Sequence, residues 1–248
     1  MIYTRNSCNC QRSPETRNEG EITIKKVFIS AGHGGSDPGA TANGFQEKAL
    51  NLMIALACRD ELMRHGVGVL MSRETDANDP VYEEVKECNK YHPDLAVSIH
   101  NNAGGGDGAE AFHHHGGGLG KTAAAYILDE ITKLGQNSRG AKTRKNGSGN
   151  DYYYFIRETT APAVIVECAF VDNMTDIKII DTTKEQREMG IAIAKGILKA
   201  LGVAYIPEAS KAYRVQVGYY EQRENAEAIL QKLKAAGYAA IIKEEVKA

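Results

Sequence analysis

Two kinds of hydrophobic pattern alternate through the first half of this chain, and their order constrains the fold more than any other feature. Short apolar runs typical of buried strands are separated by longer segments in which apolar residues recur every three or four positions. In order, these segments are VFISA, QEKALNLMIALACRDELMRH, VGVLMSR, VYEEVKECNKY and DLAVSIH. Because helices are the usual connections between neighbouring parallel strands, this alternation predicts an α/β fold with a mostly parallel sheet covered on both faces.

The second half continues with a more varied pattern. It contains a predicted strand at GAEAFHHH, a helix within KTAAAYILDEITKL, a loop from Gly135 to Asn150, apolar runs at YYYFIR and PAVIVECAF, and a closing helix from about Lys184 to Leu201. The first helix has a predicted apolar face formed by Leu50, Met53, Ile54 and Ala57, and Gly66 is placed to end it.

Composition divides the 248 residues into four predicted parts. A polar arm covers residues 1–24, a main domain covers 25–203, and a linker containing Pro207 covers 204–211. Residues 212–248 show the pattern of one strand, one helix and one strand, which predicts a small βαβ segment. A composition that is 42% hydrophobic is enough for one large core in the main domain.

Charge and cysteine content exclude several classes of protein. The net charge of −2 provides no general attraction to nucleic acid, so we expect no nucleic-acid partner. The five cysteines are odd in number and lack CxxC spacing, which argues against a disulfide framework or a cysteine zinc site and favours synthesis in a reducing cytoplasm. We also expect no signal peptide and no membrane span, because no apolar run is suitable for either.

Three chemically capable side chains follow or end predicted strands. His33 follows VFISAG, His100 ends DLAVSIH, and Glu167 lies near the end of PAVIVECA. Since ligand sites in open α/β sheets form at the carboxyl ends of strands, we expect these side chains to converge.

Glu47 adds a fourth candidate to this set. It is placed in the first turn of a helix, 14 residues after His33, and the glycine-rich loop between them can fold it back. Two histidines and one glutamate form a catalytic zinc site that leaves a position for water, and Glu167 then serves to move protons. Taken alone, His33 also fits a surface turn, and Glu47 also fits a residue that complements the helix dipole.

The tract His113–His115 is a competing metal-binding sequence. Successive side chains of a strand point to opposite faces, so three neighbours cannot close on one ion. We therefore predict that the tract is not the primary site, although one of its members, such as His113, lines the cleft.

The chain resembles the zinc-dependent N-acetylmuramoyl-L-alanine amidases of the Amidase_3 family, which includes bacterial autolysins and phage endolysins. The similarity rests on AGHGGSDPGA, NGFQEKALNL, MSRETD, SIHNNA, GAEAF and RETTAPAVIVECAFVDN, in that order, over about residues 26–202. It implies a three-layer α/β/α sandwich and cleavage of the amide between N-acetylmuramic acid and L-alanine in peptidoglycan.

Position by position, the resemblance implies that His33, Glu47 and His100 bind one Zn²⁺ per chain and that Glu167 is the catalytic carboxylate. Asn102, Arg73 and Asp76 also match family positions, and we assign them orientation and packing roles around the cleft. Glu84 is a departure, since similar proteins tend to have arginine there, which puts a local ion pair in doubt.

The tail YRVQVGYYEQRENAEAILQKLKAAGY is similar to one half of a SPOR repeat, a module that binds peptidoglycan. It therefore predicts either wall binding or a homodimer in which a second copy completes the sheet. Two other functions remain as alternatives, a zinc exopeptidase of similar fold and a non-catalytic peptidoglycan-binding protein. Without an export signal, the expected setting is action on the wall after release, during phage lysis or mother-cell lysis.

Overall fold

A computed structural model describes residues 24–208, 217–237 and 240–244. The chain divides into two compact units, Met1–Ile206 and Pro207–Ala248, which are described separately below. The division between the units falls inside the predicted linker, whereas the predicted N-terminal arm lies almost wholly outside the described residues.

The first unit is built on a six-stranded sheet with the order β4-β1-β5-β8-β6-β7. A two-stranded hairpin of β2 and β3 stands beside it. The strands are β1 (Lys26–Ala31), β2 (Thr41–Ala42), β3 (Phe45–Gln46), β4 (Gly68–Met71), β5 (Leu95–Asn102), β6 (Ala109–His113), β7 (Ser138–Lys142) and β8 (Ala163–Phe170). Every pair in the large sheet is parallel except β6 with β8, so the prediction of a mostly parallel sheet is confirmed. The connection from β5 to β6 spans only residues 103–108, too short for a crossover helix, and so the chain reverses direction there.

Helices cover both faces of this sheet and produce three layers. They are α1 (Glu47–Arg64), α2 (Val81–Tyr91), α3 (Gly118–Thr132), α4 (Tyr154–Glu158), α5 (Met174–Ile177) and α6 (Thr183–Leu201). The larger apolar core lies between the sheet and α1, α3 and α6, whereas a smaller core lies under α2 and α4 on the other face. Side chains alternate between the two cores along each strand: in β5, Val97 and Ile99 face the larger core, and Ala96 faces the smaller one.

Two local predictions were wrong. The predicted loop from Gly135 to Asn150 contains β7, whose sequence SRGAK has no large apolar residue because it forms an exposed edge of the sheet. In α1, Leu50 and Ile54 are buried as predicted, but Met53 is 40% exposed. Asn51, Ala55 and Cys58 are buried instead, because α1 packs against both the sheet and α6, which turns its buried face away from Met53.

The second unit contains α7 (Arg223–Ala235). The helix of the predicted βαβ segment is therefore present. No strand is formed by residues 217–220 or 240–244, and the rest of the two predicted strands lies outside the described residues. Two strands alone make a marginal sheet, which is consistent with a segment that represents half of a larger unit.

Three cysteines of the described residues, Cys58, Cys88 and Cys168, are free thiols in the core. Each is fully buried. Burial raises the pKa of Cys88 to about 12 and holds the pKa values of Cys58 and Cys168 well above their ordinary range. Within the described parts of the chain, no helix is long and apolar enough to cross a membrane.

Candidate metal centre and active site

The residues predicted to converge lie at the carboxyl ends of β1, β5 and β8. His33 follows β1 by two residues, His100 lies near the end of β5, and Glu167 lies in β8 directly opposite His100 in the parallel register. Because side chains alternate along a strand, His100 and Glu167 project from the sheet face that also carries α2 and α4.

Glu47 joins the two histidines at one point. Its Oε2 lies 3.2 Å from Nε2 of His33, and its Oε1 lies 3.0 Å from Nδ1 of His100. The two rings are nearly perpendicular, at 80°, with centroids 5.1 Å apart. Ligand atoms of all three residues lie within 4.8 Å of one another, so they form a compact group of two nitrogens and a carboxylate.

The backbone around Glu47 explains how its carboxylate reaches the strands. Glu47 is the first residue of α1, and its N–H donates to the carbonyl of Ala40 while the N–H of Ala40 donates to Oε2, at 2.8 and 2.9 Å. The N–H of Asn101 in β5 donates to Oε1 at 3.1 Å. These contacts hold a carboxylate that is only 5% exposed in one orientation.

Asp37 orients His33 and was not identified from the sequence. Its Oδ2 lies 2.8 Å from Nδ1 of His33, so the opposite ring nitrogen, Nε2, faces Glu47. His33 has a left-handed backbone with φ of 63°, which turns the chain sharply and brings Asp37 back to the ring. The position of Asp37 four residues after His33 was the available signal, but the left-handed turn that makes the contact was not predictable.

The charges of the group are strongly coupled. Burial acts to raise the pKa of Glu47, but hydrogen bonds from His100 and His33 outweigh burial and hold that pKa well below its usual range. The hydrogen bond to Glu47 raises the pKa of His33 to about 9, with burial opposing it and Asp37 adding to it. Burial acts to lower the pKa of His100, yet the carboxylates of Glu47 and Glu167 raise it overall. The carboxylates therefore favour positive charge between the two rings.

The donor set fits a zinc ion. Zinc binds histidine nitrogen and carboxylate oxygen at about 2.0–2.2 Å in tetrahedral sites, which puts neighbouring ligand atoms about 3.3 Å apart. The contacts of 3.2 and 3.0 Å from Glu47 to the two histidines are close to that spacing. A histidine whose second nitrogen meets a carboxylate, as His33 meets Asp37, is the usual outer arrangement at zinc sites.

Glu167 is suited to proton transfer. Burial raises its pKa to about 7; His100 acts to lower that value, whereas Glu47 and Glu110 act to raise it. Glu110 on β6 lies directly across the antiparallel pair from Glu167. A carboxyl group with a pKa near the working pH can both accept and donate a proton.

Arg73 and Asp76 support the backbone of the His33 loop. Arg73 is 5% exposed and donates from Nε to the carbonyl of Ala31 at 2.7 Å and from Nη2 to the carbonyl of Gly32 at 3.2 Å. Asp76 accepts a hydrogen bond from the N–H of Gly35 at 2.7 Å and pairs with Lys48 at 2.8 Å. Both side chains contact the loop, and neither contacts the group of His33, Glu47 and His100.

Asn102 contacts Glu110, the residue that lies opposite Glu167 in the sheet. The Nδ2 of Asn102 donates to Oε1 of Glu110 at 3.0 Å, and the other carboxylate oxygen of Glu110 accepts from Arg139 at 2.8 Å and from Lys142. Arg139 and Lys142 belong to β7, the strand that the sequence did not predict, so their position beside the site was missed.

His113 does not reach the group. It is 5% exposed, and its position in β6 places it on the same face as Ala109 and Ala111, which belong to the larger core. Glu110, in contrast, shares the opposite face with Phe112 of the smaller core. The prediction that His113 lines the cleft is therefore wrong. The alternation of side chains along a strand, which was the reason to discount the tract as a metal site, also turns His113 away from the cleft.

A cavity of about 360 Å³ lies beside the group. His33 and His100 form part of its wall, and Tyr153, Tyr154 and Phe155 form another part. The size is in the range of small-ligand sites. The apolar run YYYFIR was recognised in the sequence, but its place in the cleft was not.

Glu84 occupies the position at which the sequence departs from similar proteins. It is 4% exposed and lines the cavity, and its Oε2 accepts a hydrogen bond from Ser30 at 2.9 Å. Ser30 in turn accepts one from Ser98 at 3.1 Å. Burial raises the pKa of Glu84 to about 7, and the nearby Asp79 adds to this. Glu84 therefore belongs to a chain of hydrogen bonds with serines, and within the described part of the chain no lysine or arginine forms an ion pair with it.

Comparison with known proteins identifies two sequence families along the chain. The family described as N-acetylmuramoyl-L-alanine amidase, Amidase_3, matches residues 27–199, and the SPOR domain matches residues 192–244. The first match covers β1 through most of α6. The second begins inside α6 and extends through α7.

Similar individual proteins and solved structures include further N-acetylmuramoyl-L-alanine amidases. The N-acetylmuramoyl-L-alanine amidase CwlM of Bacillus licheniformis is 34% identical over 221 residues, which are 88% of this chain and 84% of that protein. Among solved structures, Cwp6 from Clostridium difficile has a TM-score of 0.71 and 40% identity, covering 74% of this chain and 30% of its own. The catalytic domain of CwlV, an N-acetylmuramoyl-L-alanine amidase from Bacillus (Paenibacillus) polymyxa var. colistinus, has a TM-score of 0.66 and 28% identity, covering 73% of this chain and all of its own.

Proposed function

Because this chain belongs to the Amidase_3 family of N-acetylmuramoyl-L-alanine amidases, we propose that it hydrolyses the amide between N-acetylmuramic acid and L-alanine in peptidoglycan. The observation that carries the proposal is the group of His33, Glu47 and His100 beside Glu167 at the carboxyl ends of the strands. A two-histidine, one-glutamate group next to a carboxyl with a pKa near 7 suits amide hydrolysis at neutral pH.

His33, Glu47 and His100 would hold one zinc ion. When bound, zinc polarises the scissile carbonyl and lowers the pKa of water to about 7. Asp37 holds the ring of His33 through Nδ1, and the backbone N–H groups of Ala40 and Asn101 hold the carboxylate of Glu47. This outer shell keeps the donor atoms in position before substrate arrives.

Glu167 moves the proton. As a carboxylate it accepts a proton from the attacking water on an Oε atom, and as the acid it donates that proton to the departing nitrogen of L-alanine. Its burial keeps the pKa near 7, so both forms are accessible at neutral pH. The cavity beside the group, with Tyr153 and Tyr154 in its wall, is where we expect the substrate to bind.

The test is mass spectrometry of purified peptidoglycan after digestion by the wild type, Glu167→Gln and Glu158→Gln. Glu158 is an exposed carboxylate in α4 and serves as the matched control. We expect new amino-terminal L-alanine with the wild type and the control, and a rate about 10²–10⁴-fold lower with Glu167→Gln at unchanged zinc content.

Other outcomes would contradict this proposal in distinct ways. New reducing sugar ends would identify a glycosidase, and release of amino acids from free peptides but not from intact wall would identify a zinc exopeptidase. Wall binding without any cleaved product would identify a non-catalytic peptidoglycan-binding protein. Normal activity of Glu167→Gln would remove Glu167 from the reaction.

We further propose that the C-terminal segment binds peptidoglycan, on the strength of its match to the SPOR domain. Its helix α7 keeps Ile229, Leu230 and Leu233 half-buried along one side, and Tyr219 before it is 61% exposed. Deletion of residues 207–248 should reduce pelleting with purified cell walls, and unchanged pelleting would contradict the proposal. A homodimer formed through this segment stays a prediction, to be tested by the mass of the full chain in solution.

The substrate places the proposed activity in the bacterial cell wall. Phage lysis and mother-cell lysis are the two settings that we propose for it. They differ in when the protein accumulates, so its abundance during phage infection and during sporulation would distinguish them.

A further inference from the structure

A second group of metal-ligating side chains lies outside the centre described above. Nε2 of His114 and Nδ1 of His115 are 3.1 and 2.8 Å from the same atom, Oδ2 of Asp151. The two rings stack at 28° with centroids 4.5 Å apart. Ligand atoms of the three residues all lie within 4.8 Å of one another.

The end of β6 explains why two neighbouring histidines converge. The strand ends at His113, and His114 and His115 lie in the turn that follows it. The alternation that separates neighbouring side chains in a strand therefore stops before these two residues. Both rings are turned toward the segment that carries Asp151, which is distant in sequence.

The burial and orientation of Asp151 suit a metal ligand. It is 3% exposed, and its Oδ1 accepts a hydrogen bond from the backbone N–H of His115 at 3.0 Å, which leaves Oδ2 facing the two rings. A buried carboxylate is stabilised by hydrogen bonds or by a nearby cation, and a cation held by the two rings would lie next to Oδ2 of Asp151. The exposed rings also give an ion a direct path from solvent.

We propose that His114, His115 and Asp151 form a second metal site, for zinc or a similar divalent cation that prefers nitrogen and oxygen ligands. The contacts of 3.1 and 2.8 Å approach the ligand spacing of about 3.3 Å in a tetrahedral site. Metal uptake would replace the two hydrogen bonds between the rings and Oδ2 of Asp151, and it also affects one backbone contact. The N–H of Gly116 donates to Nδ1 of His114 at 3.0 Å, which puts the ring proton on Nε2, and ligation through Nε2 releases a proton or shifts it to Nδ1 at the expense of that bond.

This metal site joins the end of β6 to one wall of the cleft. Tyr152–Tyr154 follow Asp151 directly, and Tyr153 and Tyr154 line the cavity beside His33 and His100. Arg157 already holds the segment through the carbonyl of Asp151 at 2.9 Å. An ion at Asp151 adds a cross-link at the base of the wall, so its role is structural. The proposal shares no residue with the amidase centre and does not depend on it.

Zinc stoichiometry of the full chain tests the proposal directly. Equilibrium dialysis followed by metal analysis should give two ions per chain for the wild type, and one each for Asp151→Asn, His115→Gln and His33→Ala. The double variant His33→Ala/Asp151→Asn should bind none. His92→Asn is the matched control, because His92 is exposed and has a left-handed backbone that asparagine tolerates, and it should still bind two.

The outcomes separate the two sites. A wild type that binds one ion, unaffected by Asp151→Asn and lost in His33→Ala, would overturn the second site and leave the amidase centre intact. Loss of one ion in Asp151→Asn but none in His33→Ala would support the second site and contradict the first.

Proteolysis gives a readout that activity does not influence. Lys145 is exposed and pairs with Asp151 in a short antiparallel bridge, so trypsin can cut there when the segment opens. In the His33→Ala background, zinc at about ten times its dissociation constant should slow this cleavage about tenfold, because only the ion-free, open segment is cut. The same zinc should have no effect after Asp151→Asn is added. Cleavage at equal rates with and without zinc in His33→Ala would overturn the structural role.

Discussion

Replacement of Gly32 by alanine should strongly weaken zinc binding at the proposed site of His33, Glu47 and His100, called the primary site below, without disrupting the fold. A Cβ at Gly32 would lie 2.1 Å from Cε1 and 2.2 Å from Nε2 of the His100 ring. An ordinary contact begins at 3.4 Å, so the ring must retreat by about 1.3 Å. Metal-ligand distances tolerate about 0.2 Å, and the displacement is several times larger. The backbone of Gly32 is outside the left-handed region, so strain there adds nothing.

Two measurements separate the local effect from unfolding. Titration against a competing chelator should show an affinity for zinc at the primary site at least about 100-fold lower in Gly32→Ala than in the wild type. Urea unfolding should show a loss of only about 1–3 kcal/mol, the usual cost of an overpacked contact. Gly147→Ala is the control, because a Cβ at Gly147 meets nothing within 4 Å, and it should change neither quantity.

Wild-type zinc affinity at the primary site in Gly32→Ala would refute this reasoning. It would mean either that His100 is not a ligand or that its ring can move without leaving the ion. Adding His100→Ala to the variant distinguishes these cases, since an unchanged affinity in the double variant would remove His100 from the site.

Three further perturbations test individual residues of the core and of the site. In the folded state Glu84 has a pKa near 7, above its ordinary 4.5. Its contribution to the free energy of unfolding is therefore fully present below about pH 4.5. As the pH rises from 4.5 to 7, this contribution falls by about 1.4 kcal/mol per pH unit. Urea unfolding from pH 4.5 to 8 should show this loss reduced in Glu84→Gln but not in the exposed control Glu87→Gln, and identical slopes would contradict the buried-acid interpretation. Asp37→Asn should weaken primary-site zinc binding about 10–100-fold in the chelator assay, whereas the exposed Asp60→Asn should not; equal affinities would show that Asp37 does not orient His33. Gly196→Ala should lower the free energy of unfolding by about 1–3 kcal/mol, because the new Cβ would lie 2.5 Å from Cα of Ile127 in α3. This cost outweighs the better helix propensity of alanine. An equal or higher free energy of unfolding would mean that α3 and α6 are less closely packed at this point.

The sheet was predictable because its strands are buried. Strands β1, β5 and β8 are buried along almost their whole length and contain the apolar runs VFI, LAV and AVIV, which are typical of buried parallel strands. The edge strand β7 has no such signal, since its residues are held by hydrogen bonds to β6 and are largely exposed. Arg139 and Lys142 beside Glu110 were missed for the same reason.

The candidate site was predictable to the extent that it depends on strand ends. His33, His100 and Glu167 were selected because parallel strands bring their carboxyl ends to one edge. Asp37 was not, because its contact depends on the left-handed backbone of His33, which no local pattern indicates. His113 and His114 illustrate the same limit, since the point at which β6 ends decides which histidine is buried in the core and which meets Asp151.

The buried thiols of Cys58, Cys88 and Cys168 bear on how this protein tolerates a change of redox environment. Disulfide exchange and oxidation require a thiolate that a reagent can reach, and at these positions burial suppresses both the ionised form and access. The core is therefore insensitive to whether the surroundings are reducing or oxidising. An enzyme whose substrate lies outside the cytoplasm can pass from one condition to the other with these three sulfurs in the same chemical state.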